Sequence, residues 1–196
     1  MTITVPGIDV RHVGNHRLFV IDGLFKPDFV RALHAILSRQ PFSLSDYDSD
    51  ETERIRHWKC EFAPAFFTAN PLLQAWHSAV VAKTAEQFAE RALDLVRVHG
   101  NSHLFGDHQH PHTDLDPGVT ALYFANPEWQ ADWQGETLFY DASGEPLSAV
   151  APLPGRLAIF DGALLHRGGV PSRTCFGARL SVAFKFSSSR SGGSRG

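Results

Sequence analysis

Arg179-Leu180-Ser181-Val182-Ala183-Phe184-Lys185-Phe186 is the stretch on which the fold is read. Successive side chains on a strand point to opposite faces. Arg179, Ser181, Ala183 and Lys185 then share one face, and Leu180, Val182, Phe184 and Phe186 the other. The apolar face has to pack outward, on helices or on a second sheet. The polar face then looks into the interior of a barrel. An arginine there is costly unless it meets an anion. A guanidinium fork takes a carboxylate bidentately and a neighbouring hydroxyl adds a donor, so Arg179 with Ser181 reads as a carboxylate clamp. The competing reading is a surface arginine on an edge strand.

Upstream of this strand, from Leu95 onward, short apolar runs alternate with Gly, Pro, Asn and Asp. Strand candidates fall at 95–99, 109–113, 119–124, 136–140, 147–150, 156–160, 164–168 and 178–186. Many short strands with regular turn signals indicate a sandwich or barrel. The first half reads differently. A strand candidate at 17–22 precedes Lys26-Pro27-Asp28, which opens a helix: proline suits the first turn and Asp28 the positive end. Phe29, Leu33, Ile36 and Leu37 recur at helical spacing up to Pro41. Asn70-Pro71 opens a second helix, expected to run to about Leu93, with Leu72, Leu73, Trp76, Val80 and Phe88 as its apolar stripe. Residues 43–56 carry Asp46, Asp48, Asp50 and Glu51 and read either as a solvated loop or as a flap over a site. The expectation is a mainly β (α+β) fold with N-terminal helices packed on one sheet of a barrel-like double sheet. One domain spans 1–186, with a helical part to about 93 and a β core from about 94. The segment SSSRSGGSRG at 187–196 is expected to be a flexible tail.

With 196 residues the domain can bury on the order of 70% of its unfolded surface, so a metal is not needed to hold it together. The net charge of −3, with no long run of one sign, gives no footprint for nucleic acid. Cys60 and Cys175 are the only cysteines and read as buried free thiols in strand-like stretches. The N-terminal residues lack the apolar core of a signal peptide, and no window approaches the roughly 20 apolar residues of a membrane span. A cytoplasmic protein with no membrane partner is the expectation.

The densest chemistry lies in His108-Gln109-His110-Pro111-His112-Thr113-Asp114. Strand parity would put His108, His110, His112 and Asp114 on one face, but Pro111 breaks a regular central strand, so the pattern should hold only near Asp114. His112-x-Asp114 places an imidazole and a carboxylate side by side, two of the three ligands of a facial 2-His-1-carboxylate site. Such a pair taken singly is most often surface chemistry. If the third ligand lies C-terminal it is His166, the only histidine downstream of Asp114. It precedes Gly168-Gly169, which would let the backbone bend away. His108 and His110 read as solvated or as outer partners of the site. No cysteine lies near enough for a thiolate zinc site.

His112-x-Asp114, His166 and Arg179-x-Ser181, in that order on a β-rich half, resemble the Fe(II)/2-oxoglutarate-dependent oxygenases, most closely their prolyl-hydroxylase-like branch. The resemblance covers about 95–186, with Leu122-Tyr123-Phe124-Ala125-Asn126, Trp133-Gln134-Gly135-Glu136-Thr137-Leu138 and Pro154-Gly155-Arg156-Leu157-Ala158-Ile159-Phe160 matching successive elements. It extends more weakly over Phe19–Leu37. It implies a double-stranded β-helix of the jelly-roll or cupin-like kind. It also implies Fe(II) on His112, Asp114 and His166, 2-oxoglutarate and O2 as cosubstrates, and C–H hydroxylation with release of succinate and CO2. Arg179 and Ser181 would hold the far carboxylate of 2-oxoglutarate, with Leu122, Phe124 and Asn101 beside it and His103 and His110 toward the substrate.

Two departures from the family pattern stand out. The step from His166 to Arg179 is thirteen residues, long for the family, and it contains Arg173 as a competing clamp. Phe124 stands where the family often has a tyrosine. Asp114 argues against the related halogenases, which carry a small residue there. Gly135 and Glu136 read as structural. A small, amino-acid-like metabolite is the expected substrate, ahead of a protein prolyl side chain and of nucleic-acid repair. The rival readings are a non-oxygenase cupin-type metal protein and a zinc module built on His108, His110 and His112.

Overall fold

The computed structural model describes residues 7–190. In chain order it contains β1 (Gly7–Val13), β2 (His16–Asp22), α1 (Pro27–Leu37), β3 (Ser43–Asp46), β4 (His57–Glu61), α2 (Pro64–Thr68), α3 (Pro71–Gln87) and β5 (Arg91–His103). Then come β6 (Gly118–Phe124), β7 (Thr137–Tyr140), β8 (Pro146–Val150), β9 (Leu157–Asp161), β10 (His166–Arg167) and β11 (Arg179–Arg190). Eight strands form the major sheet in the order β1-β2-β9-β6-β11-β5-β4-β3, and three form the minor sheet, β10-β7-β8. The two sheets form the expected double-stranded β-helix.

The central strands are buried on both faces, so they read as nearly continuous apolar runs. Parity sorts each of them. Phe19 and Ile21 of β2, Ala121 and Tyr123 of β6, Leu157 and Ile159 of β9, and Leu180, Val182 and Phe184 of β11 join the core under the helices. Leu18, Val20, Leu122, Phe124, Ala158, Phe160 and Ala183 face the other way and pack with Phe139 and Val150 of the minor sheet. Helix α1 contributes Val30, Leu33 and Leu37. Helix α3 contributes Leu73, Trp76 and Val80. Trp76 is fully buried, with its ring centroid 5.4 Å from Tyr123 and 5.2 Å from Phe184. Asn70 caps α3, its side chain accepting from the Leu72 amide at 2.8 Å.

Three expectations are corrected. Helix α3 stops at Gln87, where the Phe88 amide closes on Thr84 O, and residues 91–95 are strand. Their partners are Phe186–Arg190 at the end of β11, so sheet pairing overrides a helical stripe that continues in the sequence. For the same reason Ser187–Arg190 are strand rather than tail, while residues 191–196 lie outside the described part. The helical first half contributes β1, β3 and β4 to the major sheet beside β2, the strand expected at 17–22. Cys60 is in a strand as expected, but Cys175 sits in the turn before β11; both are buried and free.

Candidate metal centre and cosubstrate cavity

Strand register builds the floor of the site. β11 lies between β5 and β6, with Lys185 opposite Arg97 and Thr120, and Ala183 opposite His99 and Leu122. One step further, Ser181 faces Asn101 and Phe124, and Arg179 faces His103. This polar row lines a cavity of about 470 Å³, together with His112, Asp114, His166 and residues 46–48. The interior face read from the alternation of β11 is therefore the wall of the cavity.

His112 and His166 meet through backbone. Each donates its amide to the other's carbonyl at 2.9 Å, and the Asp114 amide donates to Gly162 O at 2.7 Å. This bridge sets the two imidazoles 4.6 Å apart and brings Asp114 beside them. His112 Nε2 is 3.9 Å from Asp114 Oδ1, and His166 Nε2 is 3.5 Å from Asp114 Oδ2. One ligand atom from each of the three lies within 4.8 Å of the others. The Nδ1 of His166 donates to Leu164 O at 2.8 Å and that of His112 to His110 O at 3.0 Å. Both Nε2 lone pairs therefore point at a common centre, as a metal requires. Burial pushes the His166 imidazole down to about 3, which keeps it neutral. Burial alone would raise the Asp114 carboxyl. The Lys185 ammonium, with hydrogen bonds from Lys185 and Thr120, outweighs burial and holds it well below the ordinary carboxylate range. Two imidazoles with their Nε2 atoms turned inward and a charged carboxylate fit a divalent ion, and these three residues would hold it.

Glycines admit the close approaches around this centre. A Cβ on Gly162 would lie 1.9 Å from Leu115 O, and one on Gly169 2.4 Å from Glu136 O. Gly168 and Gly169 are required for that proximity rather than for a bend, since neither adopts a positive φ.

Arg179 is 1% exposed. Its Nε donates to Gly135 O at 2.6 Å and one terminal nitrogen donates to Thr137 Oγ1 at 2.8 Å. The other terminal nitrogen lies 3.4 Å from Ser181 Oγ and 3.5 Å from His103 Nδ1. The guanidinium rests on the Phe124 ring, 5.1 Å from its centroid. Among the described residues no carboxylate forms an ion pair with it. Burial lowers its pKa to about 10, so it stays charged at neutral pH. Arg173 is exposed on the turn before β11 and does not line the cavity.

Asn101, His103 and Leu122 line the cavity as expected, and Phe124 serves it from beneath Arg179. His110 is corrected. Its side chain is not among those lining the cavity, and it serves His112 through its backbone carbonyl, because Pro111 interrupts the strand parity. His108 packs against His110, with ring centroids 4.4 Å apart, and also stays outside.

Five side chains of the site went unread in the sequence. Thr120 and Lys185 hold Asp114. Thr137 anchors Arg179, and Gln109 Oε1 accepts the Gly168 amide at 2.7 Å. Asp48 accepts the His110 amide at 2.6 Å and lies 3.3 Å from His112 Nδ1, with its side chain 3% exposed. Of the 43–56 segment, residues 46–48 reach the cavity, with Asp48 as the anchor. Parity with Leu122 and Phe124 was a usable signal for Thr120, and alternation on β11 for Lys185. Asp48 had no local signal.

Residues 96–186 match the sequence profile of the 2OG-Fe(II) oxygenase superfamily. Over this span the chain carries the sequence pattern of that superfamily. It is thus a 2-oxoglutarate-dependent oxygenase, with Fe(II), 2-oxoglutarate and O2 as its cofactor and cosubstrates. No curated protein sequence matches it. The oxygenase shares its fold with a prolyl-4-hydroxylase from Pseudomonas putida, at 21% identity and a TM-score of 0.66, covering 88% of this chain and 94% of that one. It is similarly close to HygX from Streptomyces hygroscopicus, solved with nickel and 2-oxoglutarate bound, at 19% identity and a TM-score of 0.58, covering 87% and 82% of the two chains. The viral collagen prolyl hydroxylase of Paramecium Bursaria Chlorella virus-1, a 2-oxoglutarate complex, gives 12% identity and a TM-score of 0.62, covering 87% and 96%.

Proposed function

We propose that the oxygenase hydroxylates an unactivated C–H of a small, amino-acid-like metabolite, with Fe(II) on His112, Asp114 and His166 and the far carboxylate of 2-oxoglutarate on Arg179 and Ser181. Fe(II) with 2-oxoglutarate and O2 supplies the oxidising power, and succinate and CO2 are released. The observation that carries the reading is the buried Arg179 guanidinium, which lines the same cavity as the three metal-directed side chains and forms no ion pair among the described residues. A five-carbon dicarboxylate anchored on that fork extends toward the centre on which both Nε2 atoms converge. Thr137 and the Gly135 carbonyl hold the fork in place, and Phe124 shields it from water. A volume of about 470 Å³ suits small molecules, and 2-oxoglutarate takes part of it.

Arg179→Ala should weaken 2-oxoglutarate binding to the Mn(II)-loaded protein by on the order of 100-fold, the loss of two charge-assisted hydrogen bonds. Metal affinity and the Arg173→Ala variant should be close to wild type. Unchanged cosubstrate affinity in Arg179→Ala would remove the clamp from this position. Succinate release, screened over free amino acids and proline-containing peptides, tests the substrate class. Release with peptides alone would replace the small-molecule reading.

A further inference from the structure

Lys185 lies at the opposite end of the inner face of β11 from Arg179. Six residues of strand, about 20 Å at roughly 3.3 Å per residue, separate their backbones. The two cations therefore serve different ends of the cavity. The side chain of Lys185 is 12% exposed, and its ammonium touches Asp114 Oδ2 and reaches Thr120 Oγ1 at 3.3 Å. An ammonium has three donors, so one is left over. Beside it, His99 is 5% exposed and its Nδ1 is buried without a partner. His99 is the register partner of Ala183, and Arg97 that of Lys185, so both unmet groups converge over the smallest side chain of the row. Buried polar groups without partners are costly, and a charged one most of all. The acceptors already nearby are in use. Asp46 takes His57 at 3.2 Å and Lys59 at 2.7 Å, Glu61 takes Arg97 at 2.7 Å, and Asp48 takes the His110 amide. Tyr47, Val96 and Leu115 add apolar surface to the lining at 40%, 54% and 43% exposure.

We infer that Lys185 and His99 form a carboxylate subsite for the primary substrate, with Ala183 leaving the room for it and Tyr47, Val96 and Leu115 receiving an aliphatic chain. This assignment rests on the oxygenase reading of the same cavity. It adds that the recognised group is a free carboxylate, and that it binds on the far side of Asp114 from 2-oxoglutarate. A peptide bond in place of that carboxylate would put an uncharged group against the ammonium.

The test is equilibrium binding to the protein loaded with Mn(II) and 2-oxoglutarate, using the proteinogenic L-amino acids and their methyl esters as probes. At least one free acid should bind, with its ester weaker by about tenfold or more. Lys185→Met, compared at saturating Mn(II) and 2-oxoglutarate, should weaken the acid by a similar factor and abolish the difference between acid and ester. His99→Phe keeps the ring volume, removes the imidazole nitrogens, and should weaken the acid in the same direction. It also carries the test if Lys185→Met does not fold. Equal binding of acid and ester, no binding by any free acid, or acid affinity untouched in the folded variants would overturn the subsite while leaving the 2-oxoglutarate site standing. Failure of the wild type to bind 2-oxoglutarate would overturn the oxygenase reading and the subsite with it.

Discussion

At the scale of single residues, the candidate centre depends on groups that orient its three metal-directed side chains. His112 is held by its neighbour's carbonyl and by Asp48, which arrives from a segment more than sixty residues upstream. Such outer partners commonly set metal affinity within a factor of 10–100. Asp48→Ala should lower Mn(II) affinity by about that factor, measured by competition with a chelator, and unchanged affinity would mean that His110 O alone fixes the ring. The histidines, Asp114 and Arg179 were legible because residue type and strand parity point to the same chemistry. Asp48 was not legible, because its role depends on how a polar loop returns over the sheet. The reach of Lys185 to Asp114 depends likewise on a bridge between two distant segments.

At the scale of elements, β11 is the strand whose alternation carried most of the reading. One face meets the helices and the other lines the cavity, and both assignments follow from period two alone. The helix side packs on the opposite face of the sheet from the site. Trp76 on α3 packs on Tyr123 and Phe184, side chains that point away from the cavity. Trp76→Ala should cost about 3–5 kcal/mol in urea unfolding, while 2-oxoglutarate affinity stays at the wild-type value below the melting range. A parallel loss of cosubstrate affinity would show that the two faces of the sheet are coupled. The elements that the sequence misplaced share one cause. The end of α3, the strand residues after 187 and β4 are all set by partners distant in the chain. Local periodicity carries no record of those partners.

At the scale of the whole molecule, the architecture delivers three separate things to one cavity. The bridge between His112 and His166 gathers the metal-directed side chains. The major sheet presents Arg179 and Lys185 at opposite ends of one strand. Residues 46–48 complete the lining, and Asp48 ties them to the His110 amide. The central claim is that metal and 2-oxoglutarate meet in this cavity. Anaerobic addition of Fe(II) and then 2-oxoglutarate tests it most directly, read as the weak visible metal-to-ligand charge-transfer band. The account predicts the band in the wild type, its loss in Asp114→Ala, and its appearance only at much higher 2-oxoglutarate in Arg179→Ala. Iron bound to the wild type without the band at saturating 2-oxoglutarate would contradict it.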